Sequence, residues 1–105
     1  MKHSVGHDLD LALAQRAVRV ALDSYAERFA AYSPSVSWST DSRATIGFKA
    51  KGVAVNGTVE VLAREILIDL NVPFLLRVFK KKAIDVVERE INVWIGKARN
   101  GELDA

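Results

Sequence analysis

The sequence predicts an α+β fold: an N-terminal helix, a four-stranded antiparallel meander and a long C-terminal helix packed on the sheet. Three observations predict it. Apolar residues recur at three- and four-residue steps near the start, at steps of two through the middle, and at helical steps again towards the end. The middle segments are short and joined by short polar turns, which suits antiparallel pairing. The 105 residues, half apolar and 27% charged, fit one domain with one core. At this size folding removes roughly 65% of the unfolded chain's surface. The expected domain spans 1–105, with a flexible arm over about 1–8 and a tail over about 100–105.

The first helix is expected from Asp10 to Tyr32. Leu11, Ala14, Val18, Leu22, Tyr25 and Phe29 share one face, and Gln15, Arg16, Arg19, Asp23 and Glu27 lie opposite. This stripe is about 100° wide, enough to pack on one neighbour. Asp8 or Asp10 can cap the free N–H groups at its start. Ser33-Pro34-Ser35 ends it, because proline disfavours helical geometry in the residue before it.

The period then becomes two. Val36, Trp38 and Thr40 form one strand, followed by a turn at Asp41-Ser42-Arg43. Ile46, Phe48 and Ala50 form the next, closed by Lys51-Gly52. Val53, Val55, Val59 and Val61 follow, then a turn near Ala63-Arg64-Glu65, then Ile66, Ile68, Leu70 and Val72. Asn56-Gly57 is a hairpin signal in isolation. Turning there would make one strand very long and the next short, so Gly57 is placed inside a strand, at a bulge or under a closely packed helix.

Pro73 ends the sheet and suits a first helical turn, where its missing N–H has no partner anyway. The second helix is expected from about Phe74 to Arg99, with Asn100-Gly101 as its stop. On a wheel, Leu75, Phe79, Val86 and Val93 lie on one line, Leu76, Ala83, Val87 and Trp94 beside it, and Ile84, Ile91 and Ile95 further round. The arc is roughly 200°, about twice the usual stripe. Either helix 1 and the helix ends cover the excess, or it faces a second subunit or an apolar surface. Phe79, Val86, Ile91, Trp94 and Ile95 are the candidate apolar contact residues. Trp38 and Trp94 also suit core anchors.

The remaining face is charged, with Lys81, Asp85 and Arg89 at i,i+4 spacing. Arg77, Lys80, Lys81 and Lys82 cluster near the helix start, the unfavourable end for cations. They are candidate contacts for an anion, or a solvated face with Lys80 snorkelling along apolar neighbours.

Chemistry of other kinds finds little footing. Cysteine is absent, which excludes disulfides and thiol chemistry and fits a reducing cytoplasm. Met1 to Gly6 is polar with no apolar stretch after it, so no secretory signal is expected. No run of about 20 apolar residues is present, so no transmembrane segment is expected either. A net charge of +2 raises the prospect of nucleic-acid binding only slightly. His3 and His7 precede the helix, on an arm unsuited to holding a metal. No phosphate-binding glycine motif or nucleophile elbow occurs. Glu90 falls inside the apolar arc and invites a buried pair with Lys80 or an arginine. No catalytic residue, metal site or cofactor is expected, and the chain does not read as an enzyme.

With these residues placed, the chain resembles the polyhydroxyalkanoate granule-region family, also described as putative polyhydroxyalkanoic acid system proteins. The resemblance runs from His7 to about Ile95. It rests on His7-x-Leu9 with Ala14, Arg16 and Ala17, on Phe48, Gly52, Gly57 and Val59, and on Ile68-Asp69-Leu70-Asn71-Val72-Pro73-Phe74-Leu75-Leu76 running into Phe79, Lys80 and Ile91. The family pattern often has leucine before the proline, where this chain has Val72. The resemblance implies a bacterial cytoplasmic protein associated with storage granules, and carries no catalytic residues.

The leading expectation is therefore a noncatalytic accessory protein acting at a polyester granule surface or on a granule protein, with homodimerisation a further use of the apolar arc. One alternative is a nucleic-acid-binding module using the basic start of helix 2. It is disfavoured because no glycine-rich loop precedes the lysines. Another is a small hydrophobic-ligand binder, whose sign would be a pocket bounded by Phe48, Val59, Ile68 and Phe79.

Overall fold

Successive side chains of a strand point to opposite faces, so the hydrogen-bonded register decides which apolar positions gather on one side of a sheet. The computed structural model describes residues 2–50, 52–73, 78 and 80–102. The chain runs β1 (Lys2–Gly6), α1 (Leu11–Arg28), a 3-10 turn (Ala30–Tyr32), β2 (Ser35–Trp38), β3 (Arg43–Ala50), β4 (Val53–Val61), β5 (Glu65–Asn71) and α2 (Lys80–Arg99). The strands lie in the order β1-β5-β4-β3-β2, each neighbouring pair antiparallel.

The register places Ala44 opposite Val59 and Val59 opposite Ile68, while Val61 faces Ile66 and Ile66 faces Val5. These side chains are all buried in one core with Ala14, Val18, Ala21 and Leu22 of α1 and Ile84, Val87, Ile91 and Ile95 of α2. Both helices thus share one face of the sheet. The other face carries Ser37, Thr45, Thr58 and Asp69 in one row and packs against neither helix.

The sheet has five strands, not the expected four. The residues expected as a flexible arm form β1, which pairs with β5 at the sheet edge. Its signal is faint because Val5 is its only buried residue. The chain leaves β1, crosses the sheet as α1, enters the far edge as β2 and returns strand by strand to β1's neighbour. His7 locks the start of that crossing. Its Nε2–H donates to Leu62 O at 2.8 Å and its Nδ1 accepts from the Leu9 N–H at 3.2 Å. That pair of bonds requires the neutral ring with its proton on Nε2.

Local chemistry sets the helix ends. Asp10, not Asp8, caps α1, its Oδ1 accepting from the Leu13 N–H at 2.8 Å. The expected first helix breaks at Phe29, whose φ of −111° and ψ of 31° leave the α region before the 3-10 turn. At the other end of the chain Gly101 adopts φ +73°. The Gly101 N–H reaches Ala98 O and the Glu102 N–H reaches Lys97 O, which together satisfy two terminal carbonyls of α2. Residues 74–77 and 79, the expected opening of this helix, lie outside the described residues.

Gly57 sits inside β4, opposite Ile46 on one side and Leu70 on the other. The ladder is regular there, and the close neighbour is not a helix but the next strand. A Cβ at Gly57 would stand 2.5 Å from Asp69 O and 2.7 Å from Leu70 Cδ2. Gly57→Ala is therefore expected to lower stability by roughly 1–3 kcal/mol through forced shifts of β5. Gly6→Ala, with nothing within 4 Å, should change it by less than about 0.5 kcal/mol. Urea midpoints of the two variants check this.

Candidate contact surface

α2 lies on the sheet beside α1, and its orientation divides its wide apolar arc in two. Ile84, Val87, Ile91, Ile95 and Ala98 point inwards and are buried. Of the expected contact residues, Ile91 and Ile95 are therefore core residues, at 1% and 3% exposure, and cannot meet a partner. Val86 and Trp94 are half-buried. Phe79 lies outside the described residues. Val93, grouped in the arc but not singled out as a contact, is 44% exposed, and Val78 is 75% exposed.

Val86 and Val93 stand two helical turns apart on one outward line. Lys82 and Arg89, both exposed, flank it on one side. Lys97 flanks it on the other, its Nζ 4.3 Å from the centre of the Trp94 ring. Of the expected basic cluster, Lys81 and Lys82 are exposed, Arg77 lies outside the described residues, and Lys80 is the first residue of α2. Among the described residues neither Lys82 nor Arg89 forms an ion pair with an acidic side chain.

The polar groups on and around α2 are held in structural bonds. Glu90, 7% exposed, accepts from Arg28 Nη1 at 2.7 Å and from the Trp94 Nε1–H at 3.1 Å. The expected pair with an arginine is thus formed, and it joins α1 to α2. His3 Nε2 and Glu88 Oε2 lie 2.8 Å apart and join β1 to α2. Arg99 donates to Asp8 Oδ1 at 2.7 and 3.1 Å, and this bond holds the Asp8 carboxyl below its ordinary value. Tyr25 reaches Gly47 O with a long bond of 3.5 Å, and burial pushes its hydroxyl up to about 12.

The ligand-binding alternative calls for a pocket bounded by Phe48, Val59, Ile68 and Phe79, the last of which lies outside the described residues. Val59 and Ile68 are fully buried. The gap where Ala21, Leu22, Tyr25 and Ile46 meet Val87, Glu90 and Ile91 measures about 10 Å³, one water's worth at most. A shallow groove of about 400 Å³ crosses the open sheet face among Lys2, Arg43, Glu60 and Asp69. Arg43 and Glu60 approach each other there at 3.7 Å. Among the described residues no group of three or more histidines and carboxylates is placed to hold a metal. No described helix is long and apolar enough to cross a membrane.

A family model described as putative polyhydroxyalkanoic acid system protein matches residues 3–94, which includes β1 from His3 onwards, both hydrogen-bonded histidines and α2 as far as Trp94. The chain belongs to that family. No curated protein and no solved structure matches it significantly. In this chain His7 and Leu9 are tied by the paired bonds of the imidazole, and Gly57 by the close approach of β5.

Two expectations follow from these bonds. Removing Arg28 leaves the Glu90 carboxylate buried without its cation, whereas removing the charge of Glu90 leaves Arg28 in water. Arg28→Met is thus expected to cost more than Glu90→Gln, by about 1–3 kcal/mol in urea unfolding. For Tyr25 the folded-state value lies above the ordinary 10.0. The stability held by its neutral hydroxyl is complete below about pH 10 and is lost as pH rises towards 12, by on the order of 2 kcal/mol. Tyr25→Phe should remove that alkaline loss in denaturation curves taken across the same window.

Proposed function

We propose that this chain is a noncatalytic accessory protein of polyhydroxyalkanoate metabolism. It works by contact, through the outward line of α2, at the polyester granule surface or on a protein held there. The observation that carries this reading is the division of α2. Its inner stripe is consumed by the core, while Val86 and Val93 remain outward between cations. A helix with apolar positions on its solvent side presents the anchors that helix-mediated recognition uses. Family membership supplies the metabolic setting.

The noncatalytic part rests on how the buried polar groups are engaged. Glu90 and His7, the buried ionisable groups among the described residues apart from Tyr25, each hold two structural bonds. Neither lines a cleft large enough for a substrate. The cytoplasmic setting belongs to the same proposal and follows from the site of polyester storage.

Sedimentation with isolated granules tests the reading. Val93→Asp places a charge on an already exposed position, so the fold should survive, as circular dichroism would verify. Wild-type protein should sediment with the granules and the variant should partition about tenfold less, the effect of losing roughly 1.4 kcal/mol. A folded Val93→Asp variant that sediments like wild type would contradict the proposal.

A further inference from the structure

The outward line of α2 has a spacing, a width and a charge, and together these select a kind of partner. Val86 and Val93 are separated by seven residues, about 10.5 Å along the axis. That is the spacing of one of the two rows along which one helix meets another in a heptad seam, the second row being held here by Lys82 and Arg89. Lys82 and Arg89 lie beside this line at the positions that would meet a partner helix next, and Lys97 borders the opposite side. Their aliphatic stems extend the apolar strip and their heads require anions. The carboxylates of this helix do not meet that need: Asp85, one turn before Arg89, forms no ion pair with it among the described residues. Glu88 is turned towards β1, where it meets His3, and Glu90 is turned inwards to Arg28 and Trp94.

We infer that this strip is the docking seam for an acidic amphipathic helix of a partner protein. The inference rests on the contact role proposed above and names the partner's chemistry. A second copy of the chain fits poorly. Antiparallel pairing that sets Val86 against Val93 of the copy also sets Lys82 against Lys97. Parallel pairing sets Lys82 against Lys82 and Arg89 against Arg89. Like charges placed opposite each other in this way oppose association. A flat lipid or polymer surface fits poorly too. It is best met by a broad apolar face with large anchoring side chains. Among the described residues the strip is one valine wide, and the nearest large ring, Trp94, carries the Lys97 ammonium over its face.

The test uses the full chain and two synthetic helical peptides of about three heptads, each with a leucine seam. One carries glutamate on both flanks and the other lysine. Fluorescence anisotropy should show the acidic peptide binding and the basic one not, with binding weakened by added salt. Arg89→Glu should weaken the acidic peptide about tenfold and admit the basic one. Val93→Asp should abolish binding of the acidic peptide, and NMR shift changes on its binding to wild type should fall along residues 82–97. Equal binding of the two peptides overturns the inference, as does a folded Arg89→Glu variant that binds the acidic peptide like wild type. Phosphatidylglycerol vesicles bound with the same Arg89 and Val93 dependence, when the acidic peptide is not, also overturn it. So does a dimer of the chain that Val93→Asp dissolves. Granule sedimentation retained without any acidic-peptide preference overturns this inference alone. Wild-type protein that stays off granules overturns the contact role itself.

Discussion

Ile84, Val87, Ile91 and Ile95 of α2 join Val59, Ile66 and Ile68 of the sheet in one core, and the rest of the molecule follows from that contact. A sheet with one apolar face needs that face covered. Here two helices share the task, and the small side chains of Ala14, Ala17 and Ala21 on α1, all fully buried, let its backbone lie close. Because α2 turns its isoleucines inwards, the valines on its opposite side have nowhere to go but outwards. The surface available to a partner is thus a consequence of core packing, not a feature added to it.

The seam between the helices is fixed by polar bonds as well as by packing. The Glu90 carboxylate sits among apolar side chains and has two donors, one from each helix. Such a group adds little net stability compared with an apolar residue of similar size. It does penalise alternatives: sliding or rotating α2 would carry Trp94 along but strip the carboxylate of Arg28 while leaving it buried. His3 with Glu88 and Asp8 with Arg99 act in the same sense from the β1 side. These ties set which line of α2 faces out.

The middle of the fold was legible because period-two alternation is strong wherever both neighbours of a strand are apolar on the same side. The places of β3, β4 and β5 and of Gly57 follow from it, while β3 and β5 begin at Arg43 and Glu65, which the turn residues assign to turns, and β5 ends at Asn71, before Val72. β1 was not legible, since one buried valine makes no pattern and its partner strand lies some sixty residues away. The bonds of His7 were hidden for the same reason: Leu62 O is 55 positions distant. For α2 the wheel sets Val86 with Val93, Val87 with Trp94, and Ile84 with Ile91 and Ile95, and does not orient these lines. Three adjacent lines covering a wide arc leave the direction of the sheet undecided. The orientation comes from tertiary partners, chiefly the fit of Ile91 and Ile95 to the core and of Glu90 to Arg28. That is why Ile91 and Ile95 were grouped with Val86 and Trp94 as contacts although they are buried.

The absence of cysteine gives a direct measure of that orientation. Single cysteines introduced as Val86→Cys, Val93→Cys, Ile91→Cys and Ile95→Cys can each be labelled with a thiol reagent under native conditions. The account predicts that positions 86 and 93 react readily in the folded protein, and that 91 and 95 react only as fast as the chain unfolds. Labelling of 91 and 95 as fast as 93, in variants that remain folded, would contradict it.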